Sequence, residues 1–333
     1  MKLAAVAMIR NESDIIGAFL QHLDALFDHA VLMDHHSMDG TDRILQQVCA
    51  QRPGWTLWHI EAVGYHQEHF SRFATRHVMR RTDADFVFFL DADEFVGVPD
   101  RAALEASLAR LTDPDRVGHL FWRNLVPDRL DARAFHLDEH VWSPAERSRY
   151  GKAVVPRAFY RRHWHEARVA VGNHGLYYSP ERMVPADVVG ELLHLPVRSH
   201  AQLSRKVLAG TFATMARMRR EVEQGRHWIE ILHRIADGTL TEADLIGIAA
   251  HYSEPDGAMV PIERAALSEL GFVPAVLGLV AGRDLAGGAA PDWVDPVRLV
   301  AAVLRDYRQE DTSNSDLVLE GDLLRFVPRA SPP

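Results

Sequence analysis

Cysteine is almost missing: Cys49 stands alone in 333 residues, so no intrachain disulfide framework exists and a reducing compartment, the cytoplasm, is expected. Positive charge is also scarce. Lys and Arg number 37 against 46 Asp and Glu, a formal net charge of −9, which argues against a protein that grips nucleic acid through a broad basic surface. The local cluster Arg157, Arg161, Arg162, His163 and His165 reads as a solvated basic loop. Long hydrophobic runs are missing too. Leu3–Ile9 meets Arg10, Asn11 and Glu12 at once, with no cleavage segment after it, so a first core strand accounts for it better than a signal peptide. The stretch 271–282 (GFVPAVLGLVAG) is interrupted by Pro274 and too short to span a bilayer. It reads as a buried helix or hairpin, with peripheral membrane association left open.

Several signatures are absent as well. No G-x-G-x-x-G follows the first strand, and there is no Walker loop, G-x-S-x-G elbow or H-E-x-x-H. Dinucleotide oxidoreductases, P-loop enzymes and serine hydrolases lose weight accordingly. What is present is a globular composition, 47% hydrophobic and 25% charged, without internal repeats or low-complexity segments.

The first hundred residues alternate between two periods. Leu3–Ile9 is a short apolar run. Over 14–27, apolar residues fall at Ile15, Ile16, Phe19, Leu20, Leu23, Leu26 and Phe27, one stripe of an α-helix that Asn11 or Ser13 can cap. Strands are expected at 30–33, 56–60 and 86–90, with helices over 42–50 and 70–81 between them. Such alternation predicts an α/β fold with a mostly parallel central sheet covered on both faces. Further on, 120–125, 153–160 and 188–195 read as strands, and Ser199 with Gln202 forms a capping box opening a long helix. The division expected is a nucleotide-binding domain over 1–220 and a mostly helical extension over 221–333.

In parallel sheets ligands bind outside the carboxyl ends of the strands, so the polar residues there are the candidates. Asp91-Ala92-Asp93-Glu94 places three carboxylates in four residues, tolerable at a buried strand end when a cation is near. A hard divalent ion with oxygen ligands, Mg2+ or Mn2+, is the economical partner and would carry a diphosphate; a solvated turn is the plain alternative. Asp34, directly after a strand, can accept hydrogen bonds from a base or ribose. Asp39-Gly40-Thr41 reads as a tight turn into a helix. His35 and His36, adjacent on extended backbone, point apart and make a poor chelating pair. Arg10, Asn11 and Glu12 either contact a nucleotide or cap the next helix. His194 closes an apolar run, where a lone histidine is more often a core residue than a ligand.

Together the segments 8–23 (MIRNESDIIGAFLQHL), 31–41 (VLMDHHSMDGT), 86–95 (FVFFLDADEF), 152–175 (KAVVPR…VGNHG) and 194–206 (HLPVRSHAQLSRK) resemble the family 2-like bacterial glycosyltransferases. The resemblance covers roughly the first 210 residues. It implies a GT-A fold and transfer of a sugar from a nucleoside-diphosphate sugar to an acceptor hydroxyl, on a glycan or other molecule. By resemblance, Asp34 and Arg10–Glu12 line the donor pocket, and Asp91 and Asp93 are the D-x-D pair, Asp93 the direct metal ligand. His194 completes the metal site, and Arg198 and Lys206 neutralise the diphosphate. Binding of UDP or GDP is then expected to need Mn2+ or Mg2+ and to be lost in Asp93→Ala. His35 stands where many relatives carry Asp or Asn. An inverting displacement wants a base, and Glu191 and Glu94 are the candidates, with Asp138 and Glu139 in a loop near the acceptor. Two rivals remain: a haloacid-dehalogenase-like phosphohydrolase, which also ends a strand in D-x-D, and a catalytically silent glycosyltransferase-like binding module.

Overall fold

The computed structural model describes residues 1–62, 64–131, 140–146, 148–215, 226–250, 258–262 and 315–329. The stretch 271–282, the loop residues Asp138 and Glu139, and much of the expected helical extension lie outside the described residues. The amino-terminal part runs β1 (Leu3–Ile9), α1 (Ile16–Leu26), β2 (His29–Asp34), α2 (Thr41–Cys49), β3 (Trp55–Ile60), α3 (Gln67–Arg81) and β4 (Phe86–Phe89). Next come β5 (Glu94–Val96), α4 (Arg101–Leu108), β6 (Val117–Asn124), β7 (Val126–Pro127), β8 (His140–Pro144), β9 (Gly151–Pro156) and α5 (Arg157–His163). β10 (Arg168–Val169), β11 (Leu176–Ser179), β12 (Arg182–Met183) and β13 (Ala186–His194) precede α6 (His200–Met215), α7 (Arg226–Ala236) and α8 (Glu242–Ala250). β14 (Met259–Pro261), β15 (Ser315–Glu320) and β16 (Leu323–Pro328) complete the order.

Ten strands form one sheet in the order β15-β16-β3-β2-β1-β4-β9-β6-β13-β5. β16, β3, β2, β1 and β4 are mutually parallel, as are β6 and β13, whereas β9 enters antiparallel between β4 and β6. The expected α/β fold with a mostly parallel central sheet is the one observed. Two antiparallel steps restore the original direction. β6 and β13 therefore end at the same edge as β1, β2 and β4, and β9 begins there.

Strand parity explains the two cores. Leu3, Ala5, Ala7 and Ile9 of β1, with Phe86 and Phe88 of β4, pack with Phe19 and Leu23 of α1 on one face. Ala4 and Val6, with Val87 and Phe89, pack with Phe70, Ala74 and Val78 of α3 on the other. A third cluster joins Leu203 and Val207 of α6 to Leu245 and Ala249 of α8.

Three local expectations change. The run 153–160 is not one strand: Pro156 holds an extended φ of −67° and ψ of 146°, and α5 starts after it. Arg157 is not a solvated side chain, because its guanidinium donates to the carbonyls of Met79, Thr82 and Ala84 at 2.6–2.9 Å, satisfying the carboxyl end of α3. Within the extension expected to be mostly helical, 315–328 forms the β15–β16 hairpin, which extends the central sheet beside β3.

His22 of α1 is buried, and its Nε2 accepts the Val96 N–H at 2.9 Å. Burial pushes its pKa down to about 3. The unfolded chain binds this proton near pH 6.5 while the folded chain refuses it until about pH 3. Stability is therefore retained above pH 6.5 and falls as pH drops, by roughly 1.4 kcal/mol per pH unit from this group within that window. Urea titrations from pH 7 to pH 4, compared between the parent and His22→Gln, measure the slope; identical slopes would remove His22 as its source.

Candidate active site

The parallel strand ends gather the polar residues at one edge, around a cavity of about 360 Å3. That volume lies within the usual range of ligand pockets, roughly 300–1,000 Å3. Arg10 and Glu12 follow β1, His35 follows β2, Asp91 and Asp93 follow β4, and His194 ends β13; all of them line it. Lys152 reaches the same edge from the start of β9 and Lys206 from α6.

The two aspartates of the D-x-D segment each hold an ammonium. Asp91 accepts from Lys152 Nζ at 2.6 Å and from Gln67 Nε2 at 2.7 Å. Lys152 is buried and donates to the Gly172 carbonyl at 2.8 Å. Burial alone would depress its ammonium, but Asp91 and Glu94 outweigh that and hold it above its ordinary value. Asp93 accepts from Lys206 Nζ at 2.6 Å, with Arg198 at 3.8 Å. Burial pulls Asp93 upward, and Lys206, His194 and Arg198 together hold it well below the carboxylate range.

His194 is stacked on Trp122, ring centroids 4.4 Å apart. Asn124 donates through Nδ2 to the Ala250 carbonyl, so its Oδ1 accepts the His194 Nδ1–H at 2.9 Å. That fixes the tautomer and turns Nε2 toward Asp93 Oδ2 at 3.8 Å. Burial pushes the His194 pKa down to about 3, so the ring is neutral.

These residues are not gathered as the expected metal site. Among the described residues no group of three His, Cys, Asp or Glu is placed to hold an ion. Asp91 turns to Lys152 and Gln67, Asp93 to Lys206, and of the three expected ligands only His194 and Asp93 approach each other. A hard cation wants several open oxygen donors, and here both carboxylates already face ammonium groups.

Other expected residues take different roles. Glu191 pairs with Arg123 at 2.7 Å and does not line the cavity; it lies three residues before His194, and strand parity sends the two to opposite faces. Glu94 is buried, accepting from Trp122 Nε1 at 2.6 Å and from the Asp91 N–H at 2.9 Å. Burial pushes its pKa up to about 8. It braces the turn and leaves no oxygen for substrate. Arg198 is buried, its guanidinium held by Glu12 and by Asp14 at 2.8 and 3.0 Å, so it is a strut and not a diphosphate contact. Asn11, at φ 56°, supports the neighbouring loop by accepting the Met38 N–H at 2.8 Å. Neither it nor Ser13 caps α1, which has no side-chain cap. Gly40, at φ 93°, makes the expected turn into α2. His35 and His36 do not point apart as extended backbone would have them: His36 stands at φ 57°, the two ring centroids lie 5.8 Å apart, and the Nε2 atoms bond the adjacent carbonyls of Ala62 and Glu61.

Arg10 differs from the other cations at this edge. It lines the cavity, its Nε is buried without a hydrogen-bond partner, and no ion pair joins it to a described residue. Burial lowers its pKa to about 10 despite the Asp34 charge nearby. Asp34 ends β2, its Oδ1 is buried without a hydrogen-bond partner, and burial raises its pKa.

Sequence reasoning missed Lys152 and His174 as site residues. His174 lines the cavity, and its Nδ1 donates to the Gly151 carbonyl at 2.8 Å. Its Nε2 lies over Gly172, at φ +73°, where an added Cβ would collide with that nitrogen. The available signal was position: a charged residue opening an apolar strand, and a histidine beside glycines.

By sequence the chain matches no protein-family profile and none of the curated proteins. Among solved structures it is similar to the mannosyltransferase PcManGT from Pyrobaculum calidifontis in complex with GDP-Man and Mn2+. The identity is 17% over 92% of this chain and 86% of that one, with a TM-score of 0.37. It is also similar to TarS 1–349 from S. aureus in complex with UDP-GlcNAc, at 11% identity over 100% of this chain and 98% of that one, with a TM-score of 0.39. Likeness at this level carries nothing about substrate or activity. Those rest on the cavity. Among the described residues no helix is long and apolar enough to cross a membrane.

Proposed function

We propose that the protein is a glycosyltransferase that moves a sugar from a nucleoside-diphosphate sugar to an acceptor hydroxyl, with inversion. The observation that carries this reading is the Arg10 guanidinium, which lines the same cavity as the ammonium of Lys206 and has no described partner. A half-buried guanidinium whose Nε is buried without a partner favours an anion that brings oxygen acceptors, as a diphosphate does. Asp34 Oδ1 and Asn11 Nδ2, both buried and unpartnered, offer an acceptor and a donor for the nucleoside at the adjoining strand ends.

In the transfer, the bond from the sugar's anomeric carbon to the diphosphate oxygen breaks as the bond to the acceptor oxygen forms. The electron pair leaves on the diphosphate, where Arg10 and Lys206 meet the growing charge. The acceptor proton goes to His174 Nε2, the neutral base on the cavity wall. A phosphohydrolase would need an open nucleophilic carboxylate; Asp91 receives donors from Gln67 and Lys152, and Asp93 from Lys206.

The test is turnover of a panel of UDP- and GDP-sugars with saccharide and other hydroxyl acceptors, read as released nucleoside diphosphate. Transfer that disappears in Arg10→Ala is expected. Phosphate release from a simple phosphomonoester with Mg2+, needing no sugar nucleotide, would favour the phosphohydrolase, and binding without any turnover would favour the silent module.

A further inference from the structure

Building on the glycosyltransferase reading, we infer that donor binding is independent of a divalent metal, with the ammonium groups of Lys152 and Lys206 standing where a D-x-D pair would otherwise hold the ion. The geometry is specific. Each carboxylate has its own ammonium at 2.6 Å, and the neighbouring imidazole, His194, is fixed by Asn124 with its lone pair toward Asp93.

The two lysines differ in mobility. Lys152 has 1% of its side chain exposed and is tied to Asp91 and to the Gly172 carbonyl, so it is a fixed charge built into β9. Lys206 has 24% of its side chain exposed at the cavity. It is the one that turns from Asp93 to the diphosphate when donor enters. Asp93 then keeps the Arg198 guanidinium as a neighbour at 3.8 Å, so the buried carboxylate is not stranded. A divalent ion entering the same place would have to displace a buried ammonium from Asp91, and leaving a buried charge without its partner is strongly unfavourable.

Calorimetric titration of UDP and of GDP into the full chain, in EDTA and in Mn2+, tests this. Affinities within about twofold of each other are expected, falling at least tenfold in Lys206→Ala in EDTA. Asp93→Asn, which releases Lys206 without removing the side chain's shape, is expected to retain nucleotide binding, the reverse of what a metal ligand would show. Thermal melts of both variants establish that they fold. Binding that requires Mn2+, or that survives Lys206→Ala unchanged, overturns the lysine assignment and leaves the glycosyltransferase reading in place. Failure of both nucleotides and their sugar conjugates to bind, with or without metal, overturns both.

Discussion

Arg10→Met is expected to weaken nucleoside-diphosphate binding by roughly 30- to 100-fold while leaving the melting temperature unchanged or slightly raised. Charge-assisted hydrogen bonds are worth about 1.5–3 kcal/mol each, and about 1.4 kcal/mol is a tenfold change in affinity. The stability half of the expectation follows from the same side chain. Its Nε is buried and unpartnered, and its charge is disfavoured by burial with only Asp34 in partial compensation. Removing the charge while keeping an apolar stem lifts that cost, and Met preserves the packing of the methylenes. A residue that harms the folded state and is needed for ligand is the pattern expected of a binding site. Calorimetry on the variant measures the first quantity and a thermal melt the second. A melting temperature that collapses with no selective loss of nucleotide affinity would make Arg10 structural and remove the main support for an anion site. Arg10→Lys should recover only part of the affinity, because an ammonium cannot match the bidentate guanidinium.

How much of this was legible in the sequence differs from element to element. The β1-to-β4 half was readable because both of its periods are local: alternating burial in Leu3–Ile9 and the helical stripe of α1 need no knowledge of the rest of the chain. The carboxyl ends then located Arg10, Asp34, Asp91 and Asp93 at one edge, since parallel strands must end together. Other features depended on pairings far apart in sequence. Lys152 reaches the edge only because β9 runs antiparallel between β4 and β6, a direction no local pattern encodes. The β15–β16 hairpin joins β3 across more than 250 residues. Side-chain partners were the least readable. Asp91 and Asp93 suggested a divalent ion because their neighbours in sequence are apolar or acidic, while their cations come from β9 and α6. Arg198 matched the resemblance by position, yet Glu12 and Asp14 claim its guanidinium. Glu191 failed for a simpler reason, since an odd spacing from His194 along a strand places it on the other face.

His174→Gln is expected to lower kcat by about 10²- to 10⁴-fold, the usual contribution of a general base, with nucleotide affinity unchanged. The acceptor proton needs a neutral group with an accessible lone pair, and the carboxylates at the cavity are engaged: Glu12 by Arg198, Asp91 by Lys152, Asp93 by Lys206, and Glu94 behind them by Trp122 and the Asp91 N–H. The Gly151 carbonyl takes the Nδ1–H of His174, which leaves Nε2 as the basic nitrogen. Burial, with the Lys152 charge adding to it, pushes the imidazole down to about 4, so the ring is neutral throughout the physiological range. Its basicity is then close to that of a carboxylate. The active form is the deprotonated one, so kcat should be flat from about pH 8 down to about pH 5 and fall below that. An ordinary histidine would bend the profile near pH 6.5. The amide of the substituted side chain can still donate to the Gly151 carbonyl, so the loop should stay in place and the loss should appear in kcat and not in KM for the donor. A pH profile bending near 6.5, or a variant that keeps full kcat while melting lower, would return His174 to a packing role and leave the acceptor proton to a group outside the described residues.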